Sequence, residues 1–247
     1  SFSSWGVPGD LSLKPEITAP GGNIYSVNGL DPSGTAYELM SGTSMAAPQV
    51  TGMVALLAEH IKSEGLDDQT GLSVRHLAQS LLMSTATPLL AQQDRYWSIL
   101  QQGAGLANLV NSAAPPAFIR TYDRKTGEVM DKSKIELGDD PARTGVYTLK
   151  LAINNFGTSA LTYDVSAIVM TEGVSETKTN QGETTVTEQG YILGGASVVV
   201  SDCKGGSLSG STVTVDGGKV AEITVTITLS DEDKKYMNES FENGMYV

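Results

Sequence analysis

Cysteine, positive charge and long apolar runs are all scarce in this chain. Cys203 is the single cysteine among 247 residues, so a disulfide scaffold within the chain is excluded. Lysine and arginine total 16 against 28 acidic residues, and the net charge of −12 argues against a nucleic-acid partner because phosphate binding requires clustered cations. No apolar run approaches the roughly 18 residues of a membrane-spanning helix. The composition, 40% hydrophobic and 18% charged, predicts a globular protein of one or two domains.

A seven-residue segment, Gly42 to Pro48, reads Gly-Thr-Ser-Met-Ala-Ala-Pro and leads into an apolar stretch with helical periodicity. A serine there would lie beside the unpaired N–H groups of a helix N-terminus, which can stabilise an oxyanion. We expect Gly42 to allow a tight turn, and Pro48 to lie in the first turn, where no N–H partner is required. Gly-Thr-Ser alone favours an ordinary helix cap, whereas all seven residues favour a catalytic serine.

Three further segments carry a family resemblance: Ser3-Ser4-Trp5-Gly6, Lys14 to Gly21 (Lys-Pro-Glu-Ile-Thr-Ala-Pro-Gly) and Gln102 to Gly105. Together with Gly42 to Pro48 they resemble the subtilases, the subtilisin-like serine endopeptidases, and in combination look like lactocepin-type, multidomain cell-envelope proteinases. The resemblance implies that Ser44 is the nucleophile and that the backbone N–H groups of Ser44 and Thr43 support the oxyanion. It also implies protein or peptide substrates and an extracellular or cell-envelope location.

The acid–base partners of such a serine are not evident in this chain. A subtilisin-type site takes its Asp and His from positions before the Ser, but His60 and His76, the only two histidines, both follow Ser44. His60 lies 16 residues along the same predicted helix, or about 24 Å at 1.5 Å per residue, whereas hydrogen bonding needs about 3 Å. We interpret both histidines as partly solvated helix residues. The chain is therefore expected to be a protease fragment that is inactive alone, with the triad Asp and His outside it.

Pro115-Pro116 predicts a boundary between two regions, because a double proline gives a stiff, extended connection. Residues 1–114 are expected to form an incomplete, α/β subtilisin-like portion. Its predicted strands cover 16–19, 23–27 and 36–40, and its predicted helices start at Ser44, cover 73–83 and cover 106–112. In the first helix Val50, Val54, Leu57 and Ile61 share one face, Met53 and Leu56 widen the apolar surface, and Gly52 is expected to allow close packing against a neighbour.

Residues 115–247 change to a period of two. Alternating apolar residues at 145–154 and 219–229 predict strands of an all-β antiparallel sandwich, which resembles a fibronectin type III-like domain. Asp216-Gly217-Gly218 predicts a hairpin between 211–215 and 219–229. The chain end, Gly244 to Val247, reads as an incomplete strand.

The second region carries no convincing catalytic group. The acidic clusters Asp139-Asp140 and 231–233 could bind calcium but lack the ligand spacing of a known loop, and we interpret them as turn residues and helix N-terminal acids. Cys203 is interpreted as a passive residue. We expect no cofactor in this chain, although calcium could bind in the parent protein.

Two functions are weighed for the chain. One is a segment of a secreted or cell-envelope serine endopeptidase. The alternative is a non-catalytic binding or scaffold module that retains a remnant protease segment. Because half of a protease domain would leave apolar surfaces uncovered, we also expect self-association of the chain.

Overall fold

The computed structural model describes residues 3, 4, 6, 12–92, 95–130, 133–178, 182 and 184–240. Trp5 and the predicted C-terminal strand at 244–247 lie outside these residues. The described residues of the first part form four short strands and five helices: β1 (Ile24–Val27), β2 (Tyr37–Met40), α1 (Thr43–Ser63), α2 (Leu66–Thr70), α3 (Val74–Ser84), β3 (Leu90–Gln92), β4 (Arg95–Tyr96), α4 (Ile99–Gln102) and α5 (Leu109–Ala113).

The second part is built of strands with one closing helix. Its elements are β5 (Ala117–Tyr122), β6 (Val129–Met130), β7 (Val146–Asn155), β8 (Leu161–Asp164), β9 (Met170–Lys178), β10 (Thr184–Ile192), β11 (Ser197–Lys204), β12 (Ser207–Ser209), β13 (Thr212–Val215), β14 (Lys219–Thr228) and α6 (Asp231–Ser240). Among the residues that the structure describes, no helix combines the length and apolar character needed to cross a membrane.

The helical core lies between α1 and α3. Leu57 and Ile61 from α1 and Leu77 and Leu81 from α3 are fully buried there. The predicted helix at 73–83 is confirmed as α3. Ser73 is its N-cap and accepts a hydrogen bond from the His76 N–H.

The N-terminal half of α1 is far less buried than its apolar sequence predicts. Val50 is half-buried, and Val54 and Leu56 are exposed. The expected close neighbour of Gly52 is also missing from the described residues, since a Cβ built there would meet nothing within 4 Å. The expected close packing at Gly52 is therefore wrong for the described residues, which cover this half of α1 only in part: Met53 packs against the helical core, whereas Val54 and Leu56 are exposed.

Strands β1 and β2 form an antiparallel hairpin directly before α1. Tyr25 pairs with Leu39, and Val27 pairs with Tyr37, so these four side chains share one face. Each of them is between 58% and 68% exposed, and the rings of Tyr25 and Tyr37 stack with centroids 5.3 Å apart. The hairpin thus presents an uncovered apolar face, which we call the hairpin face.

Two sequence-based boundaries in the first part need correction. The predicted strand at 16–19 is reduced to a single bridge, in which Thr18 pairs with Leu106. The closing helix begins at Leu109 instead of residue 106, since Leu106 and Ala107 hydrogen-bond to the segments around Thr87 and Thr18.

The second part is an antiparallel sandwich, as the period of two predicts. One sheet has five strands in the order β11-β14-β7-β5-β6, and the other has three in the order β12-β13-β8. Val213 and Val215 from the smaller sheet meet Ile153, Ile223 and Val225 from the larger sheet in a buried core. Strands β9 and β10 form a separate two-stranded ribbon, which helix α6 contacts through stacked Tyr191 and Tyr236 rings.

The hairpin predicted at Asp216-Gly217-Gly218 is wrong. Strand β13 pairs with β8 and β12, whereas β14 pairs with β7 and β11, so the connection passes from one sheet to the other. Both strands alternate apolar and polar residues, and this pattern fixes which side faces the core but not which strand lies alongside.

The two parts share a core at their junction. Phe118 on β5 is 3% exposed and packs in the helical cluster, where its ring lies 6.1 Å from that of Phe156. Ser84 at the end of α3 accepts a hydrogen bond from the Ile119 N–H, 2.9 Å away. Gln69 on α2 donates to the Phe156 carbonyl oxygen at 2.6 Å. The first strand of the sandwich is therefore part of the hydrophobic support of α1 and α3.

We expect Phe118→Ala to lower the free energy of unfolding by about 3–5 kcal/mol, the usual cost of truncating a buried phenylalanine. Urea unfolding should be followed by tryptophan fluorescence, which reports on the first part through Trp5 and Trp97, and by far-UV circular dichroism. Both transitions should shift together. Val110→Ala, at a 74% exposed position, is the matched control. A shift in one probe only would show that the two parts do not share this core.

Candidate functional site

Ser44 lies at the exposed N-terminus of α1. Thr43 is the first residue of the helix and Ser44 the second, and the Met45 N–H donates to the Gly42 carbonyl oxygen at 3.0 Å. The N–H groups of Thr43 and Ser44 belong to the first turn, which has no acceptors within the helix. The expected entry of Ser44 into a helix is therefore confirmed, and Ser44 lies in a turn whose N–H groups can stabilise an anion.

Gly42 does not make the tight turn that we expected. Its backbone is extended, with φ 161° and ψ 163°, a conformation that any residue adopts. The close approach occurs instead at Gly21, where a Cβ atom would lie 2.7 Å from the Gly42 carbonyl oxygen. The Gly42 N–H donates to the Gly21 carbonyl oxygen at 2.8 Å, so the two backbones pass in direct contact. Gly21 ends the Lys14 to Gly21 segment that carries the family resemblance, but its sequence alone does not show which backbone it approaches.

Pro48 lies beyond the first turn, contrary to our expectation. It is the sixth residue of α1, and a residue at that position would normally donate its N–H to the carbonyl oxygen of Ser44. The ring therefore removes one backbone hydrogen bond directly at Ser44. The Gln49 side chain supports this turn by donating to the Pro20 carbonyl oxygen at 2.7 Å. Sequence reasoning missed this role of Gln49.

The segment from Lys14 to Gly21 is clamped by the segment from Gln102 to Ala107. The Thr18 N–H donates to the Gly105 carbonyl oxygen at 2.8 Å, and the Ala107 N–H donates to the Thr18 carbonyl oxygen at 2.9 Å. Gly103 has a φ of 59°, and a Cβ atom there would lie 2.4 Å from the Pro15 carbonyl oxygen, so glycine is needed for this contact. Two of the segments that carry the family resemblance therefore contact each other, and the first of them leads to Ser44.

Glu16 lies in an ion-pair cluster within this clamped segment. Its carboxylate contacts the ammonium group of Lys14 and lies 3.3 Å from that of Lys134. Partial burial raises the pKa of Glu16, but hydrogen bonds and charge attraction from the two lysines outweigh it, so the pKa is lowered from its usual 4.5. Lys134 belongs to the segment after β6, and local sequence patterns gave no indication of a contact across 118 residues.

Both histidines occupy ordinary positions within helices, His60 in α1 and His76 in α3, and His60 lies far from Ser44. Helix α1 is continuous from Thr43 to Ser63, so the estimate of about 24 Å between Ser44 and His60 holds. His60 and His76 are both half-buried, as expected for partly solvated helix residues. His60 lines a cavity of about 280 Å³ at the junction between the helices and the sandwich.

The acidic clusters occupy the structural roles that we expected. Asp140 accepts hydrogen bonds from the Gly145 N–H at 2.9 Å and the Thr144 hydroxyl at 3.0 Å, and the backbone donors lower the pKa of Asp140. Asp233 caps α6 in a reciprocal pair with Ser230, which donates to its carboxylate at 2.7 Å. Within the described residues, no three His, Cys, Asp or Glu side chains are grouped to hold a metal ion. Cys203 is half-buried on β11, where it packs against the sandwich core.

Comparisons with known proteins agree with this geometry. The model of the subtilase family matches residues 1–112, and the model of an Fn3-like domain matches residues 135–246. The first part of the chain is therefore a segment of a subtilase domain, and an Fn3-like domain follows it. The α/β subtilisin-like portion and the antiparallel sandwich predicted from the sequence are thereby confirmed, whereas the boundary between 114 and 115 stays a prediction.

Two kinds of bacterial proteinase are among the relatives. The chain is 36% identical to the C5a peptidase of Streptococcus pyogenes over 129 residues, which is 52% of this chain and 11% of that protein. It is 31% identical to the PI-type proteinase of Lactococcus lactis subsp. cremoris over 254 aligned residues, covering 98% of this chain and 12% of that protein. The chain therefore spans only about one tenth of the length of these relatives. A CBM3a-L domain from Clostridium thermocellum aligns with a TM-score of 0.19 at 12% identity, over 48% of this chain and 70% of that domain, and this likeness is too weak to indicate a shared fold.

We expect the ion pairs of Glu16 to stabilise the fold at neutral pH and to lose this effect in acid. A lowered carboxylate pKa contributes stability above the unfolded value near 4.5, and this contribution disappears as the pH falls through the folded pKa. The measurement is urea unfolding of the wild-type chain and of Glu16→Gln between about pH 3 and pH 7. The stability difference should be largest at pH 7 and should shrink below pH 4.5. A stability difference between wild type and Glu16→Gln that is constant with pH would contradict this account. The control is Glu59→Gln, at an exposed site on α1.

Proposed function

We propose that this chain is the nucleophile-bearing segment of an extracellular or cell-envelope serine endopeptidase that hydrolyses peptide bonds in proteins. The observation that supports it best is the placement of Ser44. It lies in the Gly42 to Pro48 segment, within the residues that match the subtilase family, at the exposed N-terminus of α1. The proposed location rests on the resemblance to lactocepin-type proteinases.

In the proposed mechanism the Ser44 hydroxyl oxygen attacks the carbonyl carbon of the scissile peptide bond. A histidine outside this chain accepts the hydroxyl proton, and an aspartate outside this chain orients that histidine. The carbonyl oxygen becomes an oxyanion, which the backbone N–H groups of Ser44 and Thr43 stabilise. The intermediate then expels the amine, which takes the proton from the histidine, and water hydrolyses the resulting acyl-enzyme to release the acid and restore the Ser44 hydroxyl.

Besides the nucleophile and two N–H donors, this chain contributes the contacts that position them. The clamp on Lys14 to Gly21 fixes Gly21, Gly21 holds Gly42, and Gly42 precedes the first turn of α1. A nucleophile held in one geometry needs no reorientation before attack, which accounts for a large part of enzymatic rate acceleration. The chain itself uses no cofactor in this proposal, and calcium binding in the parent stays a prediction.

We expect Ser44→Ala in the parent protein to lower kcat for a peptide substrate by about 10⁶-fold, the loss that removing the nucleophile causes in subtilisin. The 247-residue chain alone should show no measurable hydrolysis, because no base lies near Ser44 in its described part. Ser41→Ala, three residues away, is the control and should leave most activity. Unchanged hydrolysis in the Ser44→Ala parent would favour the alternative, a binding or scaffold module with a remnant protease segment.

The apolar surface beside Ser44 is proposed to be covered by the remainder of the catalytic domain. The hairpin face consists of four large side chains that are all more than half exposed, and α1 adds exposed Val54 and Leu56. An isolated two-stranded hairpin with a bare apolar face is marginally stable in water, so such a face requires a partner. In the chain on its own, a second copy is the available cover.

We therefore expect the isolated chain to self-associate through the hairpin face. Light scattering at increasing protein concentration should show a rising average mass, and the double variant Tyr25→Ser, Leu39→Ser should stay monomeric because it removes exposed apolar area without disturbing a core. Val110→Ser, also exposed but on α5, should associate like the wild type. A wild-type chain that is strictly monomeric at high concentration would contradict the expectation.

A further inference from the structure

Lys134 is an unusual lysine because its side chain is almost completely buried. Only 8% of that side chain is exposed, and the Lys134 carbonyl oxygen accepts a hydrogen bond of 2.8 Å from the Thr121 hydroxyl on β5. Thr121 is itself 2% exposed. The sandwich therefore fixes the backbone from which the Lys134 ammonium group extends. A lysine buried to this degree is stable only when its charge is paired and hydrogen-bonded.

The partners of the Lys134 ammonium group lie in the first part of the chain. It donates to the Leu13 carbonyl oxygen and lies 3.3 Å from the Glu16 carboxylate. The Glu136 carboxylate, 3.8 Å away, is the one further anion in this cluster within the described residues, and it also accepts a hydrogen bond from the Leu13 N–H at 3.2 Å. These contacts join residues 13–16 to the sandwich around the buried Lys134 side chain.

A short, hydrogen-bonded path leads from Glu16 to Ser44. Only four residues separate Glu16 from Gly21, and Thr18 between them is hydrogen-bonded to the Gln102 to Ala107 clamp through its N–H, its carbonyl oxygen and its hydroxyl. Pro20 then accepts from Gln49 on α1, and Gly21 accepts from Gly42, two residues before Ser44. Because each step of this path is hydrogen-bonded, a displacement of Glu16 is expected to be transmitted to the first turn of α1.

We propose that Lys134 is a positioning residue through which the sandwich holds the Ser44 turn in its reactive geometry. The inference rests on the proposed function of Ser44. It assigns the sandwich a role in catalysis. The ion pair of Lys134 with Glu16 connects the two parts. Without this ion pair the Ser44 turn can shift relative to its catalytic partners. Displacements of about 1 Å at reacting groups cost up to about 100-fold in rate.

The kinetic test uses the parent protein with Lys134→Met, which keeps the length and apolar stem of the side chain but removes its charge. We expect kcat per titrated active site to fall about tenfold, while KM changes less than about twofold. Titration with a fluorophosphonate removes any contribution from unfolded protein. Lys134→Arg should restore most of kcat, and Lys125→Met, at an exposed lysine in the turn after β5, should have no effect.

The structural test uses the 247-residue chain and needs no activity. In Lys134→Met we expect the Gly42 amide proton to exchange with solvent about tenfold faster, because its bond to Gly21 opens more often. The Val225 amide in the centre of the sandwich should exchange at the wild-type rate. Equal acceleration at both amides, or none at Gly42, would overturn the proposed coupling.

The outcomes separate this inference from the proposed function. If Ser44→Ala abolishes activity but Lys134→Met leaves kcat unchanged, the positioning role is wrong and the catalytic role of Ser44 stands. If Ser44→Ala leaves activity intact, the proposed function fails, and the exchange rate of Gly42 still decides whether Lys134 holds this turn. A Lys134→Met enzyme with raised KM and unchanged kcat would also overturn the inference, since it would place Lys134 in substrate binding.

Discussion

The placement of Ser44 depends on one backbone hydrogen bond, from the Gly42 N–H to the Gly21 carbonyl oxygen. The 2.8 Å bond is possible only because Gly21 has no side chain, and it ties the start of α1 to the Lys14 to Gly21 segment. That segment is in turn bonded on both edges around Thr18. Unpaired N–H groups occur at every helix N-terminus. A terminus that is hydrogen-bonded to a neighbouring segment of the same chain presents its serine in one fixed orientation.

The sandwich also supports the part of the chain that carries Ser44. Phe118 completes the core beneath α1 and α3, and Lys134 reaches across to Glu16. The parts meet through both apolar packing and a partly buried ion pair, contacts that resist independent movement more than a solvated linker would. A domain that hydrolyses peptides through Ser44 would therefore depend on its Fn3-like neighbour for both stability and geometry.

Sequence patterns identified the local features of this protein well and its long-range contacts poorly. Ser44, the two long helices and the strands β7 and β14 follow from motifs and periodicity within short windows. The partner of β13, the reduction of the strand at 16–19 to one bridge and the contact of Glu16 with Lys134 depend on residues far apart in the chain, which periodicity does not encode. Gly42 and Gly21 illustrate the same limit. Both glycines are evident in the sequence, but only the fold shows that Gly21 is the one whose backbone passes too close to another for a side chain to fit.

The hairpin face directly precedes α1 in the chain, and the described residues leave both this face and Val54 and Leu56 of α1 exposed. This arrangement fits a catalytic centre that is completed by further parts of a longer protein. The most direct measurement is to treat the parent protein with a fluorophosphonate, digest it and locate the modified residue by mass spectrometry. The account predicts stoichiometric modification of Ser44 alone. Modification of a different serine, or none in an actively hydrolysing preparation, would contradict it.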